Sequence, residues 1–446
     1  MKSRDYLVWE KLIVFCVMGL IIIQGGFFED SYLLIGGCIA FLMLNDRKKF
    51  CGDIRFTFGL GLVAVFCILY HLMIERKFLS GYILCFLIIY FLSVQRKDLL
   101  KDGVFCGVIA MEAIGMMAYI GIDIGGIIRN NRFMGTFQYA NTTAIVLVFT
   151  IIYLRENNNE IYYRFQILNY IFLFLTCSVG GIISYILAFV YCMIGNKYTV
   201  KVWLKEIIVV FMSLFAAVII YWISFVLKAN FLNIMIFMIA AIVSYNCEKI
   251  LDKIIEHIKY IEVIMTVICI VLMCVTVVSA KIIVSGRAIK TFEERIWQMQ
   301  DGLNVLKNNL LTGAGSYGWK NNLIKWSTHN YKVNIIHNSY LHIGVKYGII
   351  ILFMLMFLTI YLIYCSRMWN KCYQAILYIG ILHAFFDIDF FFMGYCSCIL
   401  IYISEKERKQ SQFTIKNNIF YKNTFLSLAG IVLIVKWLFV LVEKLS

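Results

Sequence analysis

Long apolar runs separated by short polar segments fill most of this chain, and their pattern predicts helices rather than strands. The runs fall near 11–27, 31–44, 57–74, 79–94, 103–124, 139–154, 165–178, 181–194, 207–227, 230–246, 261–283, 344–365, 373–386, 390–404 and 424–441. A helix needs about 20 apolar residues to cross a bilayer core, so most runs are near the required length, and those near 31, 181, 373 and 390 are the least secure. They are continuous and rich in Ile, Leu and Phe, whereas a membrane barrel alternates over segments of about ten residues. The chain therefore reads as an all-α, polytopic integral membrane protein of about 12–15 transmembrane helices. One polar interruption is long. It divides the chain into N-terminal transmembrane helices (1–283), an extracytoplasmic loop containing short helices (284–343) and C-terminal transmembrane helices (344–446). The first run follows a basic start and lacks a small-residue cleavage site, which predicts a retained helix.

Charge gives the runs a direction. With the N-terminus in the cytoplasm, the inner segments collect most of the Lys and Arg, among them Arg47, Lys48, Lys49, Arg96, Lys97, Lys101 and the group 406–422. The short outer segments hold only Arg76, Lys77, Arg129, Arg132, Lys228 and Lys444. That is the bias expected of a cytoplasmic membrane protein, and a spurious crossing would have reversed it partway. The long loop then lies outside. It carries Arg287, Lys290, Arg295, Lys307, Lys320, Lys325 and Lys332 against Glu293, Glu294 and Asp301, a balance suited to an anionic ligand.

Composition adds three constraints. Apolar residues make up 62% of the 446, against roughly 45–50% in soluble domains. There is no proline, so any broken helix must be broken by glycine. The 15 cysteines sit in or beside the apolar runs and none in the long loop, which predicts packing residues rather than disulfides or metal ligands. The net charge of +15 follows from topology and does not imply nucleic acid.

Within the loop, 291–307 has helical periodicity. Phe292, Ile296, Met299, Leu303 and Leu306 fall on one stripe, with Glu294, Gln298, Asp301 and Lys307 facing away, as in a helix lying on the membrane surface. Arg295 sits beside that stripe, and its planar fork suits two phosphate oxygens. The turn Gly313-Ala314-Gly315 brings bare amides together and is a candidate oxyanion cradle. His337, followed by Asn338 and Ser339, stands where the chain re-enters the membrane, and its imidazole is a candidate general base. Arg129 and Arg132 lie at the outer end of one helix and lead to Asn141 at the start of the next, a second anion site. His383 and Asp387, four apart, share a helical face, with Asp389 following. Glu112 and Lys436, inside runs, are read as packing or snorkelling groups.

The residues Arg295-x-Trp297, Leu311-Thr-Gly313-Ala-Gly315 and His337-Asn338-Ser339-Tyr340-Leu341, with Tyr347-Gly348, resemble the signature outer loop of the O-antigen ligase and polymerase superfamily. Arg132-x-x-Gly135-Thr136-Phe137-x-Tyr139-Ala140-Asn141-Thr142 is similar to its earlier outer-loop motif, and His383-x-x-x-Asp387-x-Asp389 to its late element. The resemblance covers roughly 130–145 and 284–390. It departs at Ala140 and Leu310, where proline is usual, and at Val179, where many members carry an arginine that Arg132 or a loop lysine would have to replace. It implies a metal-independent glycosyltransferase without cofactor, acting at the outer face of the bacterial cytoplasmic membrane. The donor would be an oligosaccharide on undecaprenyl diphosphate and the acceptor a saccharide, lipid or protein, with membrane lipids as surroundings. Arg295 and Arg132 would hold the diphosphate and His337 would deprotonate or orient the acceptor, with Arg129, Asn141, Gly313, Gly315, Asn338, His383 and Asp387 lining the substrate site. The alternatives are a transporter or flippase of lipid-linked saccharides, which would require ionisable groups at mid-membrane in matching halves, and a scaffold whose basic loop docks on anionic polymer.

Overall fold

The computed structural model describes residues 2–44, 46, 54–73, 81–157, 165–196, 200–256, 287–321, 327–329, 331, 333–410 and 419–445. The chain is all-α, 82% helical. Among the described residues the helices before residue 257 are α1 (Lys2–Ile22), α2 (Glu29–Leu44), α3 (Ile54–Met73), α4 (Gly81–Gln95), α5 (Lys97–Tyr119), α6 (Ala140–Asn157), α7 (Gln166–Leu175), α8 (Val179–Asn196), α9 (Val200–Trp222) and α10 (Asn233–Glu256). There follow α11 (Arg287–Asn308), α12 (Ser339–Tyr347), α13 (Ile349–Ser366), α14 (Lys371–Ala384), α15 (Met393–Gln410) and α16 (Ile419–Leu445). A two-residue hairpin, β1 (Ile128–Arg129) and β2 (Arg132–Phe133), is the sheet among the described residues.

Each apolar run within the described residues falls on a helix; the run at 261–283 lies outside them, as do Lys325 and Lys332. Three stretches, Val202–Leu227, Ile349–Ser366 and Lys422–Lys444, are long and apolar enough to cross a membrane. Their outer faces carry exposed Phe215, Phe353, Phe357 and Phe439, an apolar exterior that water would not tolerate over so large an area.

Packing is closest where small residues meet. Gly103 and Gly107 of α5 lie against Val17 and Ile21 of α1, and a Cβ at either would sit 2.5 or 2.7 Å from the facing Cβ. Without side chains there, the two backbones approach as membrane helices commonly do. At one end of the bundle Arg96, buried between α4 and α5, pairs with Glu10 of α1 at 2.6 Å, with Asp98 at 3.3 Å and with Asp46 at 3.5 Å. The C-terminal end of α6 is tied to α9 by Arg155 and Glu206, 3.9 Å apart.

Two helix breaks set up the far end. α12 and α13 are separated at Gly348, whose φ of +89° suits glycine, and a Cβ there would lie 2.2 Å from the Leu311 carbonyl oxygen. The run expected at 344–365 is thus two helices. α7 and α8 part at Thr176–Ser178, where Cys177 takes a φ of +47°. This junction lies between the runs expected at 165–178 and 181–194, and bonds from Arg132 to the Thr176 carbonyl and from the Ser178 hydroxyl to Asn141 flank it.

Residues 305–345 form a second small core together with Leu352 of α13 and Ala384 of α14. Val305, Leu306, Trp319, Tyr331, Ile336, Tyr340, Leu341 and Val345 are buried together, fastening α11 onto α12. The stripe expected on α11 is exposed at Phe292, Ile296 and Leu303, as an interfacial helix requires. Gln298 and Asp301, expected opposite that stripe, are buried at 2% and 0% exposure. Leu306 also turns inward.

Candidate functional site

The hairpin supplies the first piece. Asn130 and Asn131 have φ of +53° and +58°, the left-handed pair that a two-residue turn of right-twisted strands demands and that Asn tolerates. Phe133 is buried against Phe172, ring centres 4.7 Å apart, beneath Gly115 of α5. With Phe133 pointing inward, strand alternation turns Arg132 the other way, toward the break between α7 and α8. Its Nε donates to the Thr176 carbonyl at 2.8 Å and its Nη2 to Asn141 Oδ1 at 3.3 Å. Arg129 pairs with Arg132 across the hairpin and is exposed. Both arginines therefore sit on a strand pair, not at the end of α5, which stops at Tyr119, and Arg129 is not brought into the cluster.

Asn141, in the first turn of α6, links the pieces. Its Oδ1 accepts from Arg132 and from the Ser178 hydroxyl at 2.9 Å, and its Nδ2 donates to Asp387 Oδ2 at 2.7 Å. Asp387 is fully buried. Its Oδ1 accepts from the Tyr139 hydroxyl and from the Ile388 N–H at 2.9 Å, and its Oδ2 also accepts from Arg295 Nη2 at 3.0 Å. Burial would raise its pKa, but the Arg295 guanidinium, with the two nearby imidazoles and the Tyr139 hydroxyl, holds it below the ordinary carboxylate value. Arg295 donates through Nη1 to the Phe386 carbonyl at 2.8 Å. Its buried Nε has no hydrogen-bond partner among the described residues. Burial disfavours its charge, but Asp387 outweighs that and the pKa is raised.

His337 completes the group. Its ring centre lies 6.5 Å from that of Tyr139, and its Nδ1 is 2.8 Å from Gln298 Oε1. Burial lowers its pKa below 6.5; Asp387 opposes and Arg295 adds to the lowering. Arg295 thus bonds the buried Asp387 carboxylate directly, Arg132 is linked to it through Asn141, and His337 lies near Tyr139, which donates to it.

Other expected site residues serve differently. His383 pairs with Asp389 at 2.5 Å, not with Asp387, and Thr142 donates to the second Asp389 oxygen at 2.7 Å. α14 ends at Ala384, so helical spacing does not extend to 387. Asp387 itself is enclosed and acts as an internal anchor. The amides of Gly313, Ala314 and Gly315 are not an oxyanion cradle, because they donate to the carbonyls of Asn309, Val345 and Lys346 at 2.8, 2.7 and 3.2 Å. Asn338 is the N-cap of α12, accepting from the Leu341 N–H at 2.9 Å. Val179 opens α8 and is 42% exposed, and Arg132 docks on the same junction. Lys436 pairs with Glu29 at 2.5 Å and shares no cluster with Glu112.

Sequence reasoning assigned no role to Tyr139, Thr142, Ser178 or Gln298. Gln298 was accessible: it stands three residues after Arg295 in a helix and so shares its face. Among the described residues no three His, Cys, Asp or Glu side chains are grouped as metal ligands would be. Neither protein-family models nor curated protein sequences match this chain.

Proposed function

We propose that the chain is a polytopic membrane glycosyltransferase that transfers or polymerises oligosaccharide units carried on undecaprenyl diphosphate, at the outer face of the cytoplasmic membrane. One arrangement carries the reading: Arg295 on Asp387, Arg132 linked to it through Asn141, and the His337 imidazole beside Tyr139. The resemblance of the same three segments to the O-antigen ligase and polymerase superfamily supplies the substrate class.

The reaction follows from those groups. An acceptor hydroxyl oxygen forms a bond to the anomeric carbon of the donor sugar as the bond from that carbon to the diphosphate oxygen breaks. His337 takes the hydroxyl proton as general base. The electron pair leaves with the diphosphate, whose growing charge is met by the Arg295 and Arg132 guanidinium groups. Asp387 keeps Arg295 in place, Asn141 and the Thr176 carbonyl keep Arg132, and confinement of both substrates to the membrane surface supplies proximity.

A second reading, a flippase for lipid-linked saccharides, draws on Glu112, buried within α5 with both carboxylate oxygens unpartnered among the described residues. Purified protein incubated with a lipid-linked oligosaccharide separates the two. The transferase yields extended or transferred glycan and stops when His337 becomes Ala; movement across vesicles without new glycosidic bonds favours the flippase. Sizing surface polysaccharide after deletion of the gene then divides polymerase from ligase. Single repeats point to a lost polymerase, and long chains stranded on carrier lipid to a lost ligase.

A further inference from the structure

We infer that Gln298 is a positioning residue that fixes the tautomer of His337, placing the ring proton on Nδ1 and leaving Nε2 as the basic atom. Gln298 is buried at 2% exposure, and its Oε1 makes two contacts with one residue: 3.1 Å to the His337 backbone N–H and 2.8 Å to the His337 ring Nδ1. The backbone N–H can only donate, which identifies the facing Gln298 atom as the carbonyl oxygen and not the amide nitrogen. An amide oxygen can only accept. The ring nitrogen beside it must therefore carry hydrogen, and in a neutral imidazole the other nitrogen is then the acceptor.

The residue type matters as much as the contact. A carboxylate at this place would stabilise the imidazolium and raise the pKa, whereas an uncharged amide orients the ring without favouring its protonated form. Burial and the Arg295 charge act in the same direction, keeping the base neutral. α11 also carries Arg295 one turn before Gln298. A single rigid element thus sets where the guanidinium stands on Asp387 and how the imidazole is turned.

The role of Nε2 as base rests on the transferase reading, but the tautomer does not, so the two are tested apart. Protein labelled with ¹⁵N in its 6 histidines is examined by NMR in lipid nanodiscs at about pH 7.5, above the ordinary histidine pKa. A His337→Ala sample identifies the His337 resonances. The expected result is a protonated Nδ1 and a bare Nε2, with the preference lost in Gln298→Leu and kept in Gln298→Glu, which preserves the acceptor. A proton on Nε2 in the unaltered protein overturns the inference whatever the activity.

Kinetics supply the second arm. Gln298→Leu lowers kcat by about 10- to 100-fold, the range seen when the hydrogen-bond partner of a functional imidazole is removed, with KM little changed. Gln298→Glu retains turnover and moves the acidic limb of the rate profile to higher pH. Equal kcat for the Leu variant and an unmoved limb for the Glu variant contradict the positioning role. Absence of turnover in the unaltered protein, with Nδ1 protonated, sinks the transferase reading and leaves the tautomer assignment standing.

Discussion

Removal of the Asp387 carboxylate tests how the site is held together. Four donors converge on it: the Tyr139 hydroxyl, the Ile388 N–H at 2.9 Å, Asn141 Nδ2 at 2.7 Å and Arg295 Nη2 at 3.0 Å. In Asp387→Ala all four lose their acceptor and Arg295, 79% buried at its side chain, keeps its charge without a counter-ion. Breaking one partner of a buried pair costs about 3–5 kcal/mol. Asp387→Asn is milder, because its NH2 can take the Oδ1 place, where the Tyr139 hydroxyl can rotate to accept. The Ile388 N–H is then orphaned and the Arg295 bond loses its ionic share, for a cost of about 2–4 kcal/mol. Unfolding in mixed micelles, followed by tryptophan fluorescence, gives these differences. Arg295→Ala combined with Asp387→Ala should fall short of the sum of the single effects by about 1–3 kcal/mol. An Asn variant within about 0.5 kcal/mol of the unaltered protein, the scatter of neutral substitutions, or strict additivity of the pair, would refute the keystone role.

Other consequences are as direct. Arg132→Ala should lower kcat by about 10²–10³, the usual loss on removing one stabiliser of developing negative charge, and Arg132→Lys should restore little, because one ammonium cannot reach the Thr176 carbonyl and Asn141 as two guanidinium nitrogens do. The rate kcat/KM should be flat through neutral pH and fall as pH drops through the lowered His337 pKa, since the base must be unprotonated. Stability has the same sign: the unfolded ring binds a proton near pH 6.5 and the folded ring only at lower pH, so stability is lost as pH falls below about 6.5. Gly103→Leu should cost about 1–3 kcal/mol by overpacking, since even a Cβ would lie 2.5 Å from that of Val17; unchanged unfolding would show that α1 and α5 are not closely packed. Turnover with the chelator EDTA in excess should be unaffected, and its loss would require a metal.

The helices were legible because a continuous apolar run has one stable form in lipid, and α1 through α10 fall where the runs do. The break at Gly348 was not, since one glycine within an apolar stretch is equally compatible with an unbroken helix. On α11 the division into an apolar stripe and a polar face was legible, but what the polar face binds was not: Gln298 holds His337, and Asp301 holds Thr328 and Tyr331. His383 was matched to Asp387 by helical spacing that ends at Ala384. The amides of Gly313 to Gly315 were read as open, and only the folded chain brings Val345 and Lys346 against them. The grouping of Arg132, Asn141, Arg295 and His337 came from motif order, while the bond from Asn141 to Asp387 that links the pieces spans more than two hundred residues.

The most direct measurement is release of undecaprenyl diphosphate from a defined lipid-linked oligosaccharide by the purified protein in proteoliposomes, with the glycan product sized in the same reaction. The account predicts release matched mole for mole by new glycosidic bonds, lost in His337→Ala and strongly reduced in Arg295→Ala while both variants stay folded. Full turnover by His337→Ala, or no bond formation by the unaltered protein with donor and acceptor present, would contradict it.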